Sequence, residues 1–136
     1  MSKKLNLIEL RKLKERYLYF SLSLIITFLF VRIFIWIFPT SFFNLGSYNI
    51  HHLFLGIILL IIAIIFLVSG RINLPILFTA GCGSALILDE FLYLIITNGT
   101  RQDYLQSSSV WQSIITILMT LFLILIIYYF EKNWRK

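Results

Sequence analysis

Two pairs of adjacent titratable residues, His51-His52 and Asp89-Glu90, stand out in this 136-residue chain. Neutral imidazoles and carboxylates are donors for Zn²⁺ or Fe²⁺, and a carboxylate near a histidine can give or take a proton. Arg32 is a further charge in apolar surroundings, and Tyr93, Asp103, Tyr104 and Gln112 are polar residues in a position to support it. The background makes these residues conspicuous. The chain is 60% hydrophobic and 13% charged, with mean hydropathy +0.91, whereas soluble domains carry ~25% charged residues. That composition excludes a soluble enzyme, a disordered tail and a disulfide-stapled secreted domain. Cys82 is the single cysteine, so neither an internal bridge nor a thiolate metal site can form.

The elements that must position these groups follow from bilayer dimensions. A hydrocarbon core of ~30 Å needs ~20 apolar residues in a helix. Stretches at about 17–38, 50–68, 74–97 and 110–130 meet that need. The expected fold is all-α, a single four-transmembrane-helix bundle. Asn49 is placed to cap the second helix and Asn73 the third, with Pro75 in its first turn; Ser109 and Gln112 suit a capping box for the fourth. Ser69-Gly70-Arg71 makes the short turn between the second and third.

Charge orients the bundle. Lys3, Lys4, Arg11, Lys12, Lys14 and Arg16 precede the first span, Arg71 lies in the second loop, and Lys132, Arg135 and Lys136 follow the last span. The first loop has no Lys or Arg and the third has only Arg101. Both termini are therefore expected in the cytoplasm of a prokaryotic inner or plasma membrane. Leu7, Ile8, Leu10 and Leu13 among basic residues at about 4–16 suggest an amphipathic interfacial helix on anionic lipid headgroups, with membrane lipids and not nucleic acid as partner. A homo-oligomer is compatible with this layout, though no particular residue argues for it.

Depth and angle bring the polar groups together. Asp89 lies fifteen positions beyond Leu74, ~22 Å from the inner end at ~1.5 Å per residue. Arg32 is six positions before Phe38, ~9 Å below the outer boundary. His51 and His52 open the second helix and Gln112 the fourth, both from that same outer side. In the third helix Gly81, Cys82, Ala85 and Asp89 share one arc; Glu90 stands ~100° further round with Gly83 and Leu86. His52 shares a face with Gly56, and Gln112, Thr116 and Thr120 form an i, i+4 row. With these arcs inward, His51 or His52, together with Asp89, Glu90, Tyr93 and Gln112, surrounds one outward-opening cavity. Arg32 neutralises one carboxylate there, and Asp103 and Tyr104 cover the site.

A divalent metal is the leading expectation, with His51, His52, Asp89 and Glu90 as ligands. In a catalytic version, metal-activated water attacks a lipid ester or phosphoester, with Asp89 or Glu90 as base. Proton-coupled transport through Asp89/Glu90 is the alternative, and a structural subunit held by an Arg32–carboxylate pair is the third. Taken singly, Arg32 could instead snorkel outward onto Trp36.

The sequences Ile50-His51-His52-Leu53-Phe54-Leu55-Gly56 and Gly81-Cys82-Gly83-Ser84-Ala85-Leu86-Ile87-Leu88-Asp89-Glu90-Phe91, with Asp103-Tyr104 and Ser107 to Ser109, resemble a family of small prokaryotic four-helix membrane proteins. The resemblance covers roughly residues 48–113. It implies the fold and the site but no reaction. Asn49 stands where that pattern often has a further histidine. Two histidines are too few for the boxes of membrane desaturases, and no His-Glu-x-x-His helix is present.

Overall fold

The computed structural model describes residues 7–38, 44–45, 48–49, 51–97 and 104–134. Within them lie helices α1 (Leu7–Ile37), α2 (His52–Val68), α3 (Leu74–Ile96) and α4 (Ser107–Trp134). Between α1 and α2 sits a small antiparallel hairpin, β1 (Asn44–Leu45) and β2 (Tyr48–Asn49), with Asn44 opposite Asn49. Apart from that hairpin the architecture is all-α. Helices α1, α3 and α4 are long and apolar enough to cross a membrane. The 17 residues of α2 advance only ~25 Å, a little short of a ~30 Å core.

Three boundaries differ from expectation, each for a local reason. The basic segment expected as a separate interfacial helix is, from Leu7 onward, the start of the unbroken 31-residue α1. No glycine or proline interrupts residues 7–37, and Arg11 Nε pairs with Glu15 Oε1 at 2.9 Å one turn on. That helix extends ~46 Å, well beyond the core thickness. Second, α2 starts at His52, two residues later than expected, and Asn49 pairs in β2. The N-cap is His51, extended at φ −65 and ψ 139, with no side-chain cap bond of its own. Third, α4 begins at Ser107, so Ser109 lies inside the helix and forms no capping box with Gln112.

The α2–α3 turn follows the sequence closely. Gly70 takes φ 78; its N–H donates to Leu67 O at 3.0 Å, and the Arg71 N–H donates to Phe66 O at 3.1 Å. This paired closure is a Schellman motif, which requires the left-handed conformation glycine tolerates. Asn73 then accepts from Ile76 N–H at 3.2 Å, and Pro75 sits in the first turn of α3.

All three other helices pack on α3. A Cβ on Gly56 would lie 2.7 Å from Gly83 O, so α2 and α3 approach backbone to backbone. On the α1-facing side, Gly81 leaves room for Ser23 and Phe20. Leu24, Phe28, Ala85 and Ile117 form a core shared by α1, α3 and α4, while Ala63, Ile76 and Ala80 form another between α2 and α3. Close backbone approach through small residues is what holds helices together when lipid tails are as apolar as the side chains. It also places consecutive residues of α3 against different partners.

Candidate functional site

The C-terminal part of α3 presents Asp89 toward α1 and α4, and Glu90 toward α2. Both acids are buried, at 1% and 4% exposure. Arg32 reaches Asp89 from α1, its Nε donating to Oδ1 at 2.6 Å. Arg32 Nη2 donates to Ser113 Oγ at 2.6 Å, and Ser113 lies 2.8 Å from the Asp89 carbonyl it can donate to. The other Asp89 oxygen, Oδ2, accepts from the Tyr104 hydroxyl and lies 3.0 Å from His52 Nε2. Asp89 thus ties α1, α2, α4 and the turn before α4 to α3. A buried charge with this many partners meets the condition for tolerating burial at all.

Tyr104 closes the Asp89 side. Its ring lies under the Arg32 guanidinium, 4.3 Å from centroid to Cζ, and meets Tyr93 at 5.2 Å and His52 at 5.7 Å edge-on. Burial, then the neighbouring Asp89 carboxylate, pushes the Tyr104 phenol well above its ordinary range. It therefore stays protonated and donates.

Glu90 has a different environment. Its Oε2 accepts from the Leu53 N–H at 2.9 Å, so a side chain of α3 satisfies one of the free amides at the start of α2. An anionic oxygen at a helix N-terminus is also favoured by the helix dipole. Its Oε1 lies 3.1 Å from His51 Nδ1 and 3.3 Å from His52 Nδ1. The histidines form the open edge, with side chains 23% and 20% exposed.

Proton counting at His52 constrains the site. A neutral imidazole has one N–H donor and one lone pair. If Nε2–H donates to ionised Asp89, the Nδ1 lone pair faces Glu90 Oε1 at 3.3 Å. Two bare electron pairs at that separation repel, so a positive centre belongs between them: a proton on either atom, or a cation. With Arg32, one such proton balances the two acids.

Of the expected site residues, Arg32, His51, His52, Asp89, Glu90, Tyr93 and Tyr104 come together. Trp36, the alternative partner for Arg32, is 80% exposed. Asp103 lies outside the described residues. Gln112 does not join: among the described residues its buried Oε1 has no hydrogen-bond partner, and Ser113 takes the inward position. Ser109 and Ser113, an i, i+4 pair, and the Leu53 amide complete the site; the serine spacing was the only sequence signal for them. The four expected metal ligands meet as hydrogen-bond and ion-pair partners. Among the described residues no three His, Cys, Asp or Glu side chains are grouped to hold one ion. One turn inward from Arg32, Asp89 and Ser113 lie Phe28, Ala85 and Ile117, an apolar layer beneath the cluster.

Comparison with family models, with curated proteins and with solved structures found no match.

Proposed function

We propose that this is a multi-pass protein of the cell membrane, with both termini cytoplasmic, whose outer-end cluster is an acid–base site. Asp89 holds the helices in register, and Glu90 with His51 and His52 stores and exchanges one proton at the outer face. The supporting observation is His52 lying between two carboxylates, Nε2 at 3.0 Å from Asp89 and Nδ1 at 3.3 Å from Glu90. The half-buried histidines supply a way in from outside, and the apolar layer of Phe28, Ala85 and Ile117 favours a closed site over a conduit. The basic start of α1, with Arg11, Lys12, Lys14 and Arg16, suits anionic lipid headgroups on the opposite face. Infrared titration of the protein in lipid nanodiscs tests the site. One carboxyl or imidazole proton should exchange with pH in the wild type and be altered by Glu90→Gln. An identical titration in the two proteins would remove the reading.

A second reading fills the same gap with a divalent metal. Glu90 Oε1 and the two Nδ1 atoms are not grouped as a three-donor site among the described residues. The Oε1–Nδ1 spacings of 3.1 and 3.3 Å are nevertheless near the ~3.3 Å between donors of a tetrahedral shell, so an ion would have to draw the two rings together. Asp89 on the far nitrogen of His52 resembles the carboxylate that orients a metal-bound histidine. Such a metal would supply activated water for a lipid ester or phosphoester. Elemental analysis decides it: stoichiometric Zn or Fe in the wild type, lost in His51→Ala and Glu90→Gln, supports the metal. Equal trace content in all three leaves the proton alone.

A further inference from the structure

A second feature lies at the opposite end of the α2–α3 pair and is independent of the acid–base cluster. A cavity of about 260 Å³ sits there, its lining including Ile62, Ala63 and Phe66 of α2, Ile76 and Thr79 of α3, and Arg71 from the turn. That volume is just below the ~300–1,000 Å³ of small-molecule pockets, room for the headgroup-proximal part of one acyl chain. Ile62 stands six residues from Val68 and Thr79 five from Leu74, so the lining reaches ~8–9 Å from the turn on both helices.

The turn geometry fixes the charge at this groove. In the Schellman closure the Arg71 N–H is bonded to Phe66 O at 3.1 Å, and its guanidinium lies 5.9 Å from the Phe66 ring. Among the described residues no carboxylate pairs with Arg71. The Asn73 side chain is committed to Ile76 N–H, and the Thr79 hydroxyl to Pro75 O at 2.9 Å. The groove therefore offers one uncommitted cation above apolar walls. We propose that it is an anionic-phospholipid site, with the lipid phosphate on Arg71 and one acyl chain between α2 and α3. A zwitterionic lipid would offer the same chain, but its own cation competes with Arg71 for the phosphate.

Native mass spectrometry of the full-length protein, equilibrated with phosphatidylglycerol or phosphatidylcholine of matched chains, tests this. Wild type should retain phosphatidylglycerol several-fold over phosphatidylcholine. Arg71→Gln should remove that preference and Arg71→Lys should largely keep it. Ile62→Trp, at an exposed position, should lower retention of both lipids by filling the groove. Circular dichroism of each variant confirms that the helices are intact. Equal retention by the wild type overturns the proposal. So does lipid retention unaffected by Ile62→Trp, or a preference that survives Arg71→Gln and disappears when Lys12 and Lys14 are neutralised.

Discussion

Asp89 and Glu90 are neighbours in sequence, both buried, yet they serve different sides of the molecule. Asp89 is saturated by Arg32, Tyr104 and His52, with Ser113 on its carbonyl, and its partners come from every other helical element. Glu90 faces α2, capping its first turn through Leu53 and meeting the two partly exposed histidines with its remaining oxygen. The ~100° between successive helical residues thus separates a carboxylate bonded to several elements from one that meets α2 and its two histidines. Identical chemistry in the side chain does not imply a shared role; the neighbouring helix decides it.

The largest expected effect follows from the saturated acid. Asp89→Ala leaves the Arg32 guanidinium buried without its counterion and should cost ~3–5 kcal/mol. Glu90→Gln keeps an acceptor for Leu53 N–H and should cost ~1–2 kcal/mol. Thermal unfolding in detergent measures both, and equal losses would erase the distinction. Gly83→Val comes next, because its Cβ would meet Gly56 O at 2.8 Å. Overpacking of this kind costs ~1–3 kcal/mol. It should move α2 and disturb the His51 and His52 signals while leaving the Arg32–Asp89 pair in place; crosslinking between cysteines on α1 and α3, unchanged from the parent, would report the latter.

Tyr104→Phe keeps the ring under Arg32 and removes one donor to buried Asp89, a loss of ~1–3 kcal/mol. The smallest effect is its pH dependence. The folded Tyr104 phenol titrates above its unfolded value of ~10, so its contribution is complete below that pH and declines as pH rises through the folded value. Stability measured from neutral pH upward should therefore fall more steeply in the wild type than in Tyr104→Phe. Parallel curves would mean that the phenol is not held protonated by burial and Asp89.

Much of this arrangement is legible in the chain because helical angles are rigid. Fifteen residues from Leu74 put Asp89 in the C-terminal part of α3, and the small residues Gly81, Cys82 and Ala85 mark its facing. Asn73, Pro75 and Gly70 carry their turn chemistry locally, so they too can be read. The start of α2 cannot: its N-cap is His51, two positions beyond the expected Asn49, and the free Leu53 amide is satisfied by Glu90, 37 positions away. Gln112 and Ser113 are adjacent and ~100° apart, and the rotation of α4 about its axis, set by packing on α3, puts Ser113 on Arg32. Tyr104 acts as the wedge of the site through contacts with Arg32, Tyr93 and His52, none of which local pattern reveals.

Since His51 and His52 are the chain's two histidines, ¹⁵N-histidine NMR in nanodiscs observes just the ring nitrogens at issue. His52 Nε2 should appear as a hydrogen-bonded N–H and its Nδ1 as bonded through a proton to Glu90. Glu90→Gln should shift the Nδ1 signals of both histidines and spare His52 Nε2, whereas Asp89→Asn should shift His52 Nε2. A neutral His52 with a free Nδ1, indifferent to Glu90→Gln, would contradict the shared proton and the division of roles between the two acids.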